Sequence, residues 1–302
     1  MKKTIIYIIS IALLLILVGS AHVLYSDLPH YKVENPYISI NSSSHNITEG
    51  RRIVNTICIR CHYNERTNSL SGRQHGNPKR LGDFSSGNIT QDSVTGIGKW
   101  TNGQLYYFLK TGIKPNGDYV FDMPKYPNMS EEDILSIIAF MKSDDSLVCK
   151  TINLNPKPKF SFLTKILLHT VISPPRYNDK KMPPPDTNDA VSFGRYLSTA
   201  KFSCYECHSL NMVTTNYNQP EKSWRFFKGG NPQVNENREK IYTPNITGDS
   251  AHGIGKWTEQ QFVKTLRNGI KPNGSQVRDP MFPFYLLTEK EAKCIYKYLN
   301  SL

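Results

Sequence analysis

The chain has 302 residues, 38% of them hydrophobic, with 19 glycines and 19 prolines, which leaves room for two modest, loop-rich domains. Its formal charge of +12 does not by itself announce nucleic acid, because no nucleic-acid recognition motif accompanies it. Six cysteines would suggest disulfides in an exported protein, but four of them fall in motifs of another kind.

The N-terminus reads Met1-Lys2-Lys3-Thr4, then 21 residues from Ile5 to Tyr25 without Asp, Glu, Lys or Arg. As a helix these would span about 31 Å, enough for the hydrocarbon core of a bilayer. The positive-inside rule puts Lys2 and Lys3 in the cytoplasm and everything after Tyr25 outside. Gly19-Ser20-Ala21 offers a competing reading as a signal-peptide cleavage site. The apolar stretch resumes with Val23-Leu24-Tyr25, which favours an uncleaved anchor. Residues 1–45 are therefore expected to be a membrane anchor and linker, single-pass in a bacterial cytoplasmic (inner) membrane, with the remainder in the periplasm.

Two pentapeptides follow: Cys58-Ile-Arg-Cys61-His62 and Cys204-Tyr-Glu-Cys207-His208. C-x-x-C-H is the attachment signature of c-type haem. Two thiols on one helical turn each close a thioether onto a vinyl group of one porphyrin, and the next residue presents a nitrogen to the iron. Chance would supply about 0.003 such pentapeptides in a chain of this composition. A four-thiolate zinc site normally draws its C-x-x-C pairs from about 15–20 residues apart. Here 143 positions (204 − 61) separate them, and zinc gives no reason for a His after both. The expected cofactors are two covalently attached haem c groups. Their four propionates would lower the net charge to about +8.

The chain also repeats itself. Asn88-Ile89-Thr90 recurs as Asn245-Ile246-Thr247, Gly96-Ile97-Gly98-Lys99-Trp100 as Gly253-Ile254-Gly255-Lys256-Trp257, and the segment from Gly112 to Gly117 as that from Gly269 to Gly274, all at one offset of 157 residues (245 − 88). The haem motifs are offset by 146 (204 − 58), so the second copy holds 11 extra residues between its motif and its Asn-Ile-Thr. Each copy ends in a helix with its own start signal, Ser130 with Asp133 and Thr288 with Glu291, the second a full capping box. Seven residues before each cap sits a methionine, Met123 and Met281. No other methionine pair matches, so Met129, Met141, Met182 and Met212 read as core or surface. A thioether is a soft ligand for haem iron, and Met/His ligation raises the reduction potential. Iron ligands are thus expected to be His62 with Met123 and His208 with Met281. Gly50 and Gly194, eight and ten residues before their motifs, are expected to let the first helix of each copy cross the last closely, against Phe140 and Tyr298.

Together these features resemble class I cytochrome c domains, and in particular the cytochrome c subunits of bacterial membrane-bound alcohol and gluconate dehydrogenases. The resemblance covers about residues 46–150 and 186–302. It implies an all-α fold, tandem duplicated after an N-terminal transmembrane helix, with Trp100 and Trp257 bonding haem propionates. This chain has two haem motifs where those subunits usually have three. The stretch 151–185 reads as a Pro-rich linker with a short apolar helix near Phe160–Ile172, packed across the two domains or serving as a docking surface. Cys149 and Cys294 read as small buried hydrophobes or as a disulfide pair.

The expected function is electron transfer in a periplasmic respiratory chain, carried out by a tethered carrier that is not itself an enzyme. The expected partners are redox proteins, a dehydrogenase or an oxidase, approached through an acidic docking surface on their side. A dihaem peroxidase is the alternative. It needs one iron with an open or displaceable sixth position, which paired methionines would close.

Overall fold

The structure is a computed structural model in which residues 2–74, 81–235, 237 and 239–302 are described. His75, unmatched in the repeat, lies outside them. Among the described residues α1 (Lys2–Tyr25) is the one helix long and apolar enough to cross a membrane. The segment after it lies along the next unit: Tyr31 N–H donates to Gly117 O at 3.0 Å, and the Tyr107 hydroxyl to Lys32 O at 3.0 Å.

Among the described residues the first unit is built from α2 (Ser44–Ile57), α3 (Ile59–His62), α4 (Asn102–Thr111) and α5 (Glu131–Met141). Their apolar faces close on a core that includes Ile53, Val54, Leu105, Ile134, Ile138 and Phe140. The start of α5 is where the cap was expected, with Ser130 accepting from Asp133 N. Helix α4 was not anticipated. Its signal is local nonetheless: Thr101 and Gln104 form a reciprocal capping box and Gly112 ends the helix at φ 74°, a left-handed stop that glycine takes without strain.

The linker forms β2 (Lys159–Phe160), which pairs antiparallel with β1 (Gly82–Asp83), Gly82 opposite Phe160. It continues into α6 (Phe162–Thr170). Its body lies on the first unit, and Val171 and Ile172 at its end face Met212, Val213 and Tyr217 of the second unit across a shared pocket. Leu168 packs with Phe84 and Phe121 of the first unit, and the Lys165 ammonium reaches Leu24 O at the end of α1 at 3.3 Å.

The second unit contains α7 (Ala190–Tyr196), α8 (Cys204–His208), α9 (Glu259–Asn268) and α10 (Glu289–Asn300) around Leu197, Phe227, Phe262, Ile295, Tyr298 and Leu299. Between α7 and α8 the helix widens into a π turn over Leu197–Lys201. That turn and the left-handed Ser203 at φ 49° fall in the stretch where Gly194 stands two residues farther from its motif than Gly50 does from its own. Helix α9 repeats α4, with Thr258 and Gln261 as capping box and Gly269 at φ 77°. The strands β3 (Pro232–Val234) and β4 (Lys240–Tyr242) form a second antiparallel ribbon, Gln233 opposite Ile241. Among the described residues the fold is therefore mostly helical with two minimal ribbons, which the all-α expectation did not include.

Both close crossings are present. A Cβ on Gly50 would fall 2.5 Å from the Ser136 carbonyl carbon and 2.9 Å from Phe140 Cβ. One on Gly194 would fall 2.5 Å from the Cys294 carbonyl carbon and 2.9 Å from Tyr298 Cβ. The cysteine expectation needs correction. Cys294 is buried in α10, but Cys149 is exposed in the turn after α5, its Sγ 3.5 Å from Asp144 O, and the two do not pair. They belong to different units, each held by its own local backbone.

A polar seam joins the units. Arg52 on α2 grips Glu291 of α10 with both terminal nitrogens, at 2.8 and 2.9 Å, and also bonds Glu49. Lys201 reaches back to Glu49 at 3.0 Å and Asp133 at 2.9 Å, and the Tyr196 hydroxyl bonds Ser130 and Asp133. Asp133 and Glu291 hold the same third position of the two final helices, so each final helix receives a partner from the opposite unit's first helix.

Candidate haem sites

At the first motif, α2 runs directly into the attachment turn. Cys58 N–H donates to Val54 O at 2.8 Å, and Cys61 N–H and His62 N–H both return to Cys58 O, at 3.1 and 3.0 Å. This tight winding puts two thiols and an imidazole on one turn, as the chemistry requires. His62 Nδ1 lies 2.8 Å from Gly87 O. A carbonyl only accepts, so the proton sits on Nδ1 and the lone pair on Nε2, the tautomer a metal-binding histidine needs.

The second motif repeats this chemistry on a different lead-in. Ser203 turns through φ 49° before α8 begins, and Glu206 N–H donates to Ser203 O at 3.0 Å. His208 Nδ1 lies 2.9 Å from Pro244 O. Gly87 and Pro244 each directly precede an Asn-Ile-Thr, so the repeated tripeptide positions the carbonyl that orients the histidine. The tripeptide is itself rigid in both places. Asn88 Oδ1 accepts from Thr90 N and Oγ1 at 2.9 and 2.7 Å, and Asn245 Oδ1 from Thr247 N and Oγ1 at 2.9 and 2.8 Å. The histidine carbonyls are paired alike, with Gly72 N–H at 2.8 Å and Gly229 N–H at 2.7 Å. Gly72 and Gly229 also stand 157 apart, so the 11 extra residues fall between His208 and Gly229.

Burial pushes the Cys58 and Cys204 thiols up to about 12, which favours the protonated thiol in the unreacted chain. Burial also lowers the His208 pKa against the opposing bond to Pro244, keeping the ring neutral and able to ligate. The donor set thus fits haem c in both places: two cysteines on one turn and a histidine in the ligating tautomer.

Met123 and Met281 both lie outside helices and are half-buried, whereas Met129 is wholly enclosed in the first core and Met141 nearly so. Trp100 and Trp257 are half-buried at matching positions, Trp100 edge-on to Phe108 at 5.2 Å and Trp257 O accepting from the Tyr296 hydroxyl at 2.7 Å.

The first motif lies against the second unit: Ile57, directly before Cys58, packs against both cores, and the Arg60 guanidinium stands 4.3 Å over the Phe282 ring. Burial raises Glu206 and lowers Lys125, each opposed by the other's charge. Sequence reasoning missed these contacts between units; Arg60 and Glu206 occupy the same third position of the two motifs, which was the available signal.

Residues 45–141 match the family described as Cytochrome C oxidase, cbb3-type, subunit III. The fructose dehydrogenase cytochrome subunit of Gluconobacter japonicus is 26% identical over 265 residues, covering 81% of this chain and 50% of that protein. The gluconate 2-dehydrogenase cytochrome c subunit of Pantoea cypripedii is 24% identical, covering 81% of this chain and 56% of that one. The cytochrome c subunit of alcohol dehydrogenase (quinone) from Gluconacetobacter polyoxogenes is 24% identical, with 81% and 53% covered. The chain carries a cytochrome c-type domain and is similar to cytochrome c subunits of dehydrogenases. It spans about half the length of these curated relatives.

Proposed function

We propose that the chain is a membrane-tethered dihaem electron carrier, built as two class I cytochrome c domains in tandem (46–150 and 186–302) behind an anchor that leaves both in the periplasm. The observation that carries this reading is the pair of C-x-x-C-H turns, each with its histidine Nδ1 bonded to the carbonyl before an Asn-Ile-Thr. The likeness to dehydrogenase cytochrome subunits supports electron transfer. Each haem, when attached, supplies a one-electron iron couple. Cys58 and Cys61, and Cys204 and Cys207, would hold the two groups; His62 and Met123, and His208 and Met281, would ligate the irons; Trp100 and Trp257 would bond propionates. The contact of the first motif with the second unit, through Ile57 and Arg60, favours passage of the electron from one centre to the other within the chain, and the partners are redox proteins such as a dehydrogenase or an oxidase.

Expression with a haem-attachment system should give two covalent haems per chain, read by a haemochrome assay with intact mass after denaturation. A single haem, or haem removed by acid-acetone, would sink the assignment. Ligation is tested separately. Met123→Ala and Met281→Ala should each remove part of the Met–iron charge-transfer absorption of the oxidised protein, lower one reduction potential and open one iron to carbon monoxide. Efficient peroxide turnover by the unaltered protein would favour the peroxidase instead.

A further inference from the structure

Each unit reaches into the loop that carries the other's methionine. Arg60, within the first motif, sets its guanidinium carbon 4.3 Å from the centroid of the Phe282 ring, and its Nη2 lies 3.5 Å from Asp279 Oδ1. These residues flank Met281 in sequence. In the opposite direction the reach comes from Tyr217, in the stretch between His208 and Gly229 that holds the second unit's extra residues. The Lys125 ammonium lies 5.2 Å over the Tyr217 ring, and Asn128 Nδ2 donates to Tyr217 O at 2.8 Å. Lys125 follows Met123 by two residues.

Neither methionine is on a helix, so its reach toward a metal depends on how firmly its loop is held. Within its own unit Lys125 also donates to Phe121 O at 2.7 Å and stands 4.8 Å over the Tyr119 ring; the part of the hold that crosses the interface comes from Tyr217 on that loop and from Arg60 on the other. We propose that Arg60 and Tyr217 are positioning residues acting across the interface, each setting how tightly the opposite unit's methionine binds its iron. The proposal rests on the reading that Met281 and Met123 are the axial ligands. Its consequence is that ligation at one centre depends on the integrity of the other, which is the coupling a carrier passing electrons between two centres can use.

The test uses the loaded, full-length protein in two backgrounds. With Met123→Ala, the remaining Met–iron charge-transfer absorption reports only the Met281 centre; with Met281→Ala, only the Met123 centre. Cyanide titration of that absorption measures how readily the methionine is displaced, independently of electron-transfer activity. In the Met123→Ala background, Arg60→Ala should tighten cyanide binding about fivefold, the scale of losing a half-exposed ion pair and a cation–π contact, and Arg60→Lys should restore part of it. In the Met281→Ala background Arg60→Ala should change nothing, while Tyr217→Leu should tighten cyanide binding severalfold and Tyr217→Phe should not. An effect of Arg60→Ala on the Met123 centre, or on neither, overturns the positioning proposal. If the two methionine variants fail to divide the absorption between them, the ligand assignment is overturned and this proposal with it.

Discussion

Gly50→Ala and Gly194→Ala should each destabilise the loaded protein by roughly 3 kcal/mol, the upper end of the overpacking range. The added methyl meets backbone in both cases. At Gly50 it faces the Ser136 carbonyl and Phe140 Cβ, and at Gly194 the Cys294 carbonyl and Tyr298 Cβ. A side-chain tip could swing aside; a carbonyl in the middle of α5 or α10 moves only if the helices separate. Separation would strip contacts from Ile53, Val54 and Phe140 in one core and Leu197, Ile295 and Tyr298 in the other. Gly87→Ala is the matched control, because its Cβ would meet nothing within 4 Å, and it should stay within about 0.5 kcal/mol of the parent. Denaturant midpoints at equal haem content decide the matter. A Gly50→Ala or Gly194→Ala protein as stable as the Gly87→Ala control would show that the crossings tolerate spreading.

Lys201→Met should cost about 3–5 kcal/mol, the range for removing one partner from a buried ionic cluster. Lys201 has a side-chain exposure of 6% and stands between Glu49 and Asp133, so the substitution leaves Glu49 with Arg52 alone as a cation and Asp133 with the Tyr196 hydroxyl but no ion pair among the described residues. Glu49→Gln with Lys201→Met should be less damaging than the sum of the two, because the pair is coupled. The seam also sets an acid limit. Burial alone would raise the pKa of Glu49 and of Glu291, but the hydrogen bonds and charge of Arg52, with the charge of Lys201, outweigh it and hold both below their ordinary values. A carboxylate with a depressed folded pKa contributes stability above its unfolded value, about 4.3. That contribution is whole at neutral pH and fades as pH falls below about 4 through the depressed values. Glu49→Gln and Glu291→Gln should flatten this part of the stability–pH curve. Unfolding midpoints for the variants that keep the parent's slope below pH 4.5 would place the acid sensitivity elsewhere.

The features that the sequence discloses unaided are those whose chemistry is local. Thioether attachment demands two cysteines and a histidine on one turn, so Cys58 to His62 and Cys204 to His208 are legible by spacing alone. Capping is equally local, and Ser130 and Thr288 start their helices where their side chains can reach the third N–H. Repetition extends this reach: two copies of one pattern pointed to Gly50 against Phe140 and Gly194 against Tyr298, where a single copy would have been ambiguous, and the same alignment is what proposes Met123 and Met281 as ligands. Helices α4 and α9 were legible too, in Thr101 with Gln104 and Thr258 with Gln261.

Only the tertiary structure decides how the units meet. Arg52 and Glu291 are 239 residues apart, and Arg60 and Asp279 219, and the copies supply different residues to equivalent contacts, Arg52 to Glu291 in one direction and Tyr196 to Asp133 in the other. Repetition therefore gives no hint of these pairs. The same holds for α6, whose Leu168 packs with Phe84 and Phe121 while Val171 and Ile172 at its end face Met212 and Val213, and for Cys149, left on the surface by the turn after α5. A cysteine or a charged side chain carries no record of its distant neighbour; that pairing is settled by which surfaces remain to be covered once each core has closed.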